Sequence, residues 1–177
     1  MEKQPKEKVW LEKFPFICLD GIDNKRFLNG ITTSNINQNL NDIIQTCLLN
    51  PKGVLKAILE IHYIENKLLI LVLEGNVKEI RNQFENIIFP VDKVKISVIK
   101  ETLRIQKVDN VYSWRKNKPI LLHDDDDIDE FISDNSLYVL APNDLKIWKI
   151  EQAIPSTNFE IDGINNPLEL GLTDLID

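Results

Sequence analysis

The stretch IIQTCLLNPKGVLKAILEIHYIENKLLILVLE, residues 43–74, decides the fold class. It is three apolar runs separated by short turn signals. IIQTCLLN predicts a strand, and Asn50-Pro51-Lys52-Gly53 a turn, because proline presets φ and glycine accepts a left-handed conformation. VLKAILEIHYI predicts a second strand with partial alternation. Asn66-Lys67 then makes a tight connection into LLILVLE, which is β-rich and apolar enough to be buried on both faces. His62 reads as a partly buried packing residue near the end of its strand.

Outward from this hairpin array, the pattern changes period. Asn76 is placed to cap a helix from Val77, with Glu79 three residues on as a capping-box variant. In that helix Ile80, Phe84, Ile87 and Ile88 fall on one face at 3.6 spacing, and Arg81, Asn82 and Glu85 on the other. VDKVKISVI predicts a further strand. Strand–strand–helix–strand predicts a small α+β unit with its helix on one face of the sheet.

The flanks are less regular. FPFICLD (residues 14–20) predicts a strand closed by Gly21. Asp23 suits an N-cap for a short helix, NKRFLNG, that buries Phe27 and Leu28. Residues 31–42 are polar and turn-rich, anchored by Ile31, Ile36 and Leu40. VYSWRKNKPILLH contains two short strand candidates, DDDDIDEFIS a helix starting at its acidic end, and SLYVLAP a strand. Asn143 is expected to cap DLKIWKIEQAI, a helix burying Leu145, Trp148 and Ala153 and stopped by Pro155.

Composition bounds function loosely. The chain has 177 residues, 43% of them apolar and 28% charged, as ordinary globular domains do. A net charge of −7 argues against a general nucleic-acid or anionic-membrane binder, since phosphate binding needs basic surface. No apolar run reaches the about 18 residues a membrane span needs. The charged start MEKQPKEKVW lacks the apolar core of a secretory signal. The two cysteines, Cys18 and Cys47, read as buried thiols in strand-like runs. A reducing compartment follows, cytoplasmic or an organellar matrix or stroma.

Few residues offer chemistry unaided. His123 with Asp124, Asp125, Asp126 and Asp127 invites a metal, but the run lacks the glycine and glutamate of a calcium loop, and zinc would need a second nitrogen or sulfur ligand. A solvated acidic loop is the plainer reading. There is no Gly-rich phosphate loop and no GxSxG nucleophile elbow. Glu160, in NFEID, is the one candidate ligand contact. A carboxylate there can accept two parallel N–H bonds from an amidine-like edge, such as an aminopyrimidine presents. A surface or helix-pairing glutamate is the alternative.

The order of three segments carries a resemblance. LDGIDNKRFLNGITTSNI resembles the opening G-x-D-A-x-x-F-L-x-G-x-x-T-x-D-V pattern of the folate-dependent aminomethyltransferase superfamily. TCLLNPKGVLKAILEIHY is similar to the turn and strand that follow in its YgfZ branch. WKIEQAIPSTNFEIDGINNPLELGL is similar to the R-I-E-x-G-I-P-x-x-x-x-E-I-x-x-x-x-x-P-x-E-x-G-L segment. The superfamily comprises the glycine-cleavage T-protein and YgfZ-type folate-binding proteins linked to iron–sulfur enzyme maintenance. The resemblance implies an α+β aminomethyltransferase-like folate-binding fold, with mixed or antiparallel sheets and a few helices. It divides into a discontinuous folate-binding subdomain of residues 1–42 and 100–177 and a second small α+β subdomain of residues 43–99.

Carried over, Glu160 would meet the pterin edge of tetrahydrofolate. Asp23, Phe27, Leu28, Gly30 and Thr33 would belong to the first helix and its exit, with Asn35 where aspartate is common. Lys52 and Gly53 would form the turn before the long strand. T-proteins carry an acidic pair where Lys56-Ala57 stand, so the resemblance implies folate binding without aminomethyltransferase activity, in service of an iron–sulfur enzyme or assembly protein. Lys149 replaces an arginine, keeping the charge but losing bidentate geometry. One-carbon transfer to tetrahydrofolate, or a non-catalytic interaction scaffold, stays open as an alternative. The K-G-C-Y-x-G-Q-E motif and the β-barrel that follow in YgfZ proteins are absent from the sequence, which therefore reads as a fragment of such a protein.

Overall fold

The computed structural model describes residues 6–37, 43–109, 113–122, 127–161 and 163–177. It has a mixed α+β fold, with eight β-strands and five α-helices among the described residues. Two compact units divide the chain, Met1–Phe14 with Glu101–Ile154 and Pro15–Lys100 with Pro155–Asp177. The division falls inside strand β1 (Glu7–Asp20), between Phe14 and Pro15.

The unit of residues 15–100 and 155–177 contains the second part of β1, α1 (Asn24–Asn29), β2 (Ile44–Leu49), β3 (Leu55–Ile64), β4 (Lys67–Gly75), α2 (Val77–Ile87) and β5 (Lys95–Ile96). Strand order is β2-β3-β4-β1, antiparallel throughout, with β5 also beside β1. Glu65 and Asn66 turn the β3–β4 hairpin at φ +48° and +66°, the left-handed pair whose twist suits a two-residue connection. Ala57, Leu59 and Ile61 of β3 and Leu68, Ile70 and Val72 of β4 face one core with Ile17 and Leu19 of β1. Leu28 of α1 and Ile80 and Phe84 of α2 close it, and Phe27 meets Phe84 edge-on at 5.9 Å. Residues of the other phase, Ile58 and Leu71, are buried as well. Both faces of these strands are therefore covered, as their unbroken apolar runs predict.

Local sequence explains most helix starts. Asn76 caps α2, its side chain accepting from the Lys78 and Glu79 amides, while Glu79 receives the Asn76 side-chain amide rather than the backbone. Asp23 precedes α1 but makes no side-chain cap. Its carboxylate accepts the Lys93 amide at 3.0 Å and pairs with Arg26 at 3.3 Å, so a distant segment outcompetes the local N–H groups. The strand expected over VDKVKISVI shrinks to Lys95–Ile96, because that segment is tied down elsewhere by Asp23 and by Ser97 on Cys18.

The unit of residues 1–14 and 101–154 contains the first part of β1, most of β6 (Lys100–Lys107), α3 (Ser113–Lys116), β7 (Ile120–Leu122), α4 (Ile128–Asp134), β8 (Leu137–Val139) and α5 (Pro142–Glu151). β8 runs parallel to Glu7–Val9, and β7 antiparallel to β6. Asp127 caps α4 by accepting the Glu130 amide. Where a strand was expected at SWRK the chain is helical: Gln152 accepts the Ser113 amide at 2.7 Å and fixes the turn against its propensity. α5 begins at Pro142, one residue before the expected cap Asn143, since proline at the first helical position needs no donor partner. Trp148 is its buried residue, while Ala153 lies exposed at φ +51°. Trp10 packs at 5.4 Å from Trp148, and the Arg104 guanidinium lies over the Trp10 ring, 4.7 Å from its centroid. No helix among the described residues is long and apolar enough to cross a membrane.

Candidate functional site

In the β2–β3–β4 array, pairing is regular except at one end. Leu48 pairs with Ala57 and Leu49 with Leu55, which leaves Lys56 as an extra residue on β3. Ile58 pairs with Glu74 and Leu59 with Val72, which leaves Leu73 extra on β4. Bulges of this kind interrupt alternation and re-aim the side chains beside them. Both lie where β3 begins and β4 ends.

The closing segment of the chain returns to that end. The Leu55 amide donates to the Asn165 carbonyl at 2.9 Å. The Gly75 amide donates to Thr157 Oγ1 at 2.8 Å. Thr157 in turn gives its amide (2.9 Å) and its hydroxyl (2.5 Å) to one oxygen, Oε2 of Glu74. α5 ends at Glu151, with Ala153 at φ +51°, short of the Pro155 stop expected from sequence; within the closing segment Ser156 organises a tight turn. The Phe159, Glu160 and Ile161 amides donate to the Ser156 carbonyl, and the Asn158 amide to the Ser156 hydroxyl. The Ser156 amide donates to Glu160 Oε2 at 2.8 Å, and the Asn165 side-chain amide to the Glu160 carbonyl at 3.0 Å. Glu160 is exposed, and its other carboxylate oxygen has no partner among the described residues.

A second cluster ties the end of the segment to the residues after α1. Thr33 and Ser34 both donate hydroxyls to the Leu175 carbonyl, at 2.5 and 3.0 Å. The Asp177 amide donates to Thr33 O, and the Asn35 amide to the Asp177 carboxylate. Thr46, wholly buried on β2, accepts the Thr33 and Ser34 amides on its hydroxyl.

The six residues expected at the site lie in one compact unit but not in one cluster. Thr33 and Asn35 meet the end of the closing segment. Lys52 and Gly53 form the exposed turn before β3, where Asn50 accepts the Lys52 and Val54 amides and Gly53 adopts φ +77°. Glu160 reaches the start of β3 through Asn165. Asp23 belongs elsewhere, with Lys93 and Arg26. Lys56 pairs with Glu79 at 3.5 Å, and Lys149 with Glu12 at 2.7 Å.

Other polar groups went unseen in the sequence. Glu60 is wholly buried on β3, bonded to His62 Nε2 at 2.9 Å and to the Gln45 side-chain amide at 3.1 Å. A glutamate two residues before a histidine in an apolar strand, facing a cross-strand glutamine, was the available signal. Glu74 and Thr157 had none, being 83 residues apart. Burial pushes the half-buried Cys18 thiol above its ordinary pKa, against a smaller opposing pull from Lys67. His123 and Asp124–Asp126 lie outside the described residues. Among the described residues no group of three or more His, Cys, Asp or Glu could hold a metal ion.

No protein-family model matches the chain. No curated protein matches it either. Among solved structures, glycine cleavage system aminomethyltransferase T from Bartonella henselae is weakly similar, with a TM-score of 0.48 and 14% identity. The similarity covers 56% of this chain and only 29% of that one. A likeness that slight carries no argument here.

Proposed function

We propose that this protein binds tetrahydrofolate, with the Glu160 carboxylate accepting N–H bonds from the pterin edge. The observation that carries the reading is where the three resembling segments go. They are far apart in sequence, yet the last is hydrogen-bonded to the start of β3 and to the end of β4, and Leu175 and Asp177 just beyond it to the exit of α1. Glu160 offers one oxygen that has no partner among the described residues and stands on a turn fixed by five bonds to Ser156. The adjacent Phe159 is 74% exposed, an apolar surface that a flat heterocycle could cover. Lys56 stands where the resemblance places a T-protein carboxylate, and a cation there favours a binding role over methylene transfer; its ammonium lies 3.5 Å from Glu79. Service to an iron–sulfur enzyme rests on the motif resemblance alone.

Titration calorimetry with tetrahydrofolate tests the reading. Binding that Glu160→Ala weakens about 10–100-fold is expected, the equivalent of a charge-assisted bond pair. No binding at millimolar ligand, or binding indifferent to Glu160→Ala, would overturn it.

A further inference from the structure

We propose that Glu74 is a positioning residue for the Glu160 carboxylate, acting through Thr157; this rests on the folate reading above. Glu74 is the last side chain of β4 before Gly75, and the extra residue Leu73 sets its direction. Its Oε2 takes both donors of Thr157, the amide at 2.9 Å and the hydroxyl at 2.5 Å. The Thr157 hydroxyl oxygen receives the Gly75 amide at 2.8 Å. Every polar group of Thr157 that could reach this strand end is therefore committed to two adjacent residues. Bonds to an ionised acceptor are the stronger kind, and two on one oxygen fix direction as well as distance.

The next turn transmits that constraint. Thr157 sits between Ser156, whose amide holds Glu160 Oε2, and Asn158, whose amide holds the Ser156 hydroxyl. Ser156 O gathers three further amides, so residues 156–161 move as one body. The Glu160 carboxylate takes its direction from the Ser156 amide, and the adjacent Thr157 is the hydrogen-bonded attachment of that body to β4. Asn165, which donates to the Glu160 carbonyl and accepts the Leu55 amide, is a second attachment, on β3; it holds the backbone of Glu160 and leaves the direction of the carboxylate to the Ser156 amide. Glu74 touches no ligand in this scheme. Its part is to hold the direction in which Glu160 presents its oxygens.

A double-mutant cycle on the full chain tests this, with tetrahydrofolate affinity by calorimetry and amide hydrogen exchange over residues 155–161 in the ligand-free protein. Glu74→Ala is expected to speed exchange in that segment and to weaken binding about tenfold, and Glu74→Gln, which keeps an oxygen acceptor, to restore both. In a Glu160→Ala background Glu74→Ala is expected to change affinity no further, which a merely structural residue would not show. Unchanged exchange, failed rescue by glutamine, or additive losses would overturn the positioning role while leaving the folate reading intact. If the unaltered protein binds no tetrahydrofolate, the folate reading falls and this proposal with it.

Discussion

Replacing Gly21 by alanine should be the most damaging single-methyl change in the unit of residues 15–100 and 155–177. Gly21 closes β1 at φ +118°, and a Cβ built on it lies 1.9 Å from the Lys93 carbonyl oxygen and 2.8 Å from its carbon. The backbone at 93–94 would have to retreat by more than an ångström. It cannot do so cheaply, because the Lys93 amide is held by Asp23, Val94 is buried in the core and Lys95–Ile96 pair with Asp20 and Leu19. Backbone strain in a glycine-only conformation costs about 1–3 kcal/mol, and forced overpacking about as much again. Their sum, about 2–6 kcal/mol, lowers Tm by roughly 2–4 °C per kcal/mol in a protein of this size. Gly53 supplies the control: it also has a positive φ, +77°, but nothing lies within 4 Å of its built Cβ. Gly53→Ala should therefore cost only the about 1–2 kcal/mol of left-handed strain. Urea unfolding followed by far-ultraviolet circular dichroism measures both. If Gly21→Ala costs no more than Gly53→Ala, the close approach of Lys93 to Gly21 is wrong.

Other perturbations separate packing from chemistry. Phe84→Ala, which removes a wholly buried ring from the α2–sheet core, should cost about 3–5 kcal/mol in the same assay. Asn76→Ala should cost about 1 kcal/mol by leaving the Lys78 and Glu79 amides without their acceptor, with Asn76→Asp nearly neutral. Cys18 should react with iodoacetamide only at pH above that of an ordinary thiol, since burial raises its pKa. The unfolded chain then loses that proton first as pH rises, so stability is full below the ordinary thiol pKa and falls through the alkaline range, an effect Cys18→Ser should abolish.

The hairpin array was legible because its signals are local. Runs such as LLILVLE state their own burial, and Asn76 three residues before Glu79 states its own helix start. The first half of β1 was not legible, since EKVWLEK mixes charges with apolar residues out of phase and is a strand through its pairing with distant strands, β8 along Glu7–Val9 among them. SWRK read as strand for the same reason reversed, a local preference overruled by Gln152. At the candidate site, the residues themselves offered Glu160, and the resemblance added Thr33 and Asn35. It did not supply Glu74, Thr157 or Asn165, whose roles come from contacts across long stretches of chain and leave no periodic trace.

The wide separation along the chain between β4 and Thr157 has a consequence for the order of assembly. The β3–β4 hairpin is complete at Gly75, yet the amides of Leu55 and Gly75 find their acceptors only at Asn165 and Thr157. At a synthesis rate of about 5–20 residues per second, the sheet waits on the order of 5–20 s with that end open to water. The wait adds little in closure entropy, which grows by only about 0.6 kcal/mol for each doubling of the loop. The Glu160 turn is thus a late addition to a preformed scaffold, and its completion reports that nearly all of the preceding chain has been made.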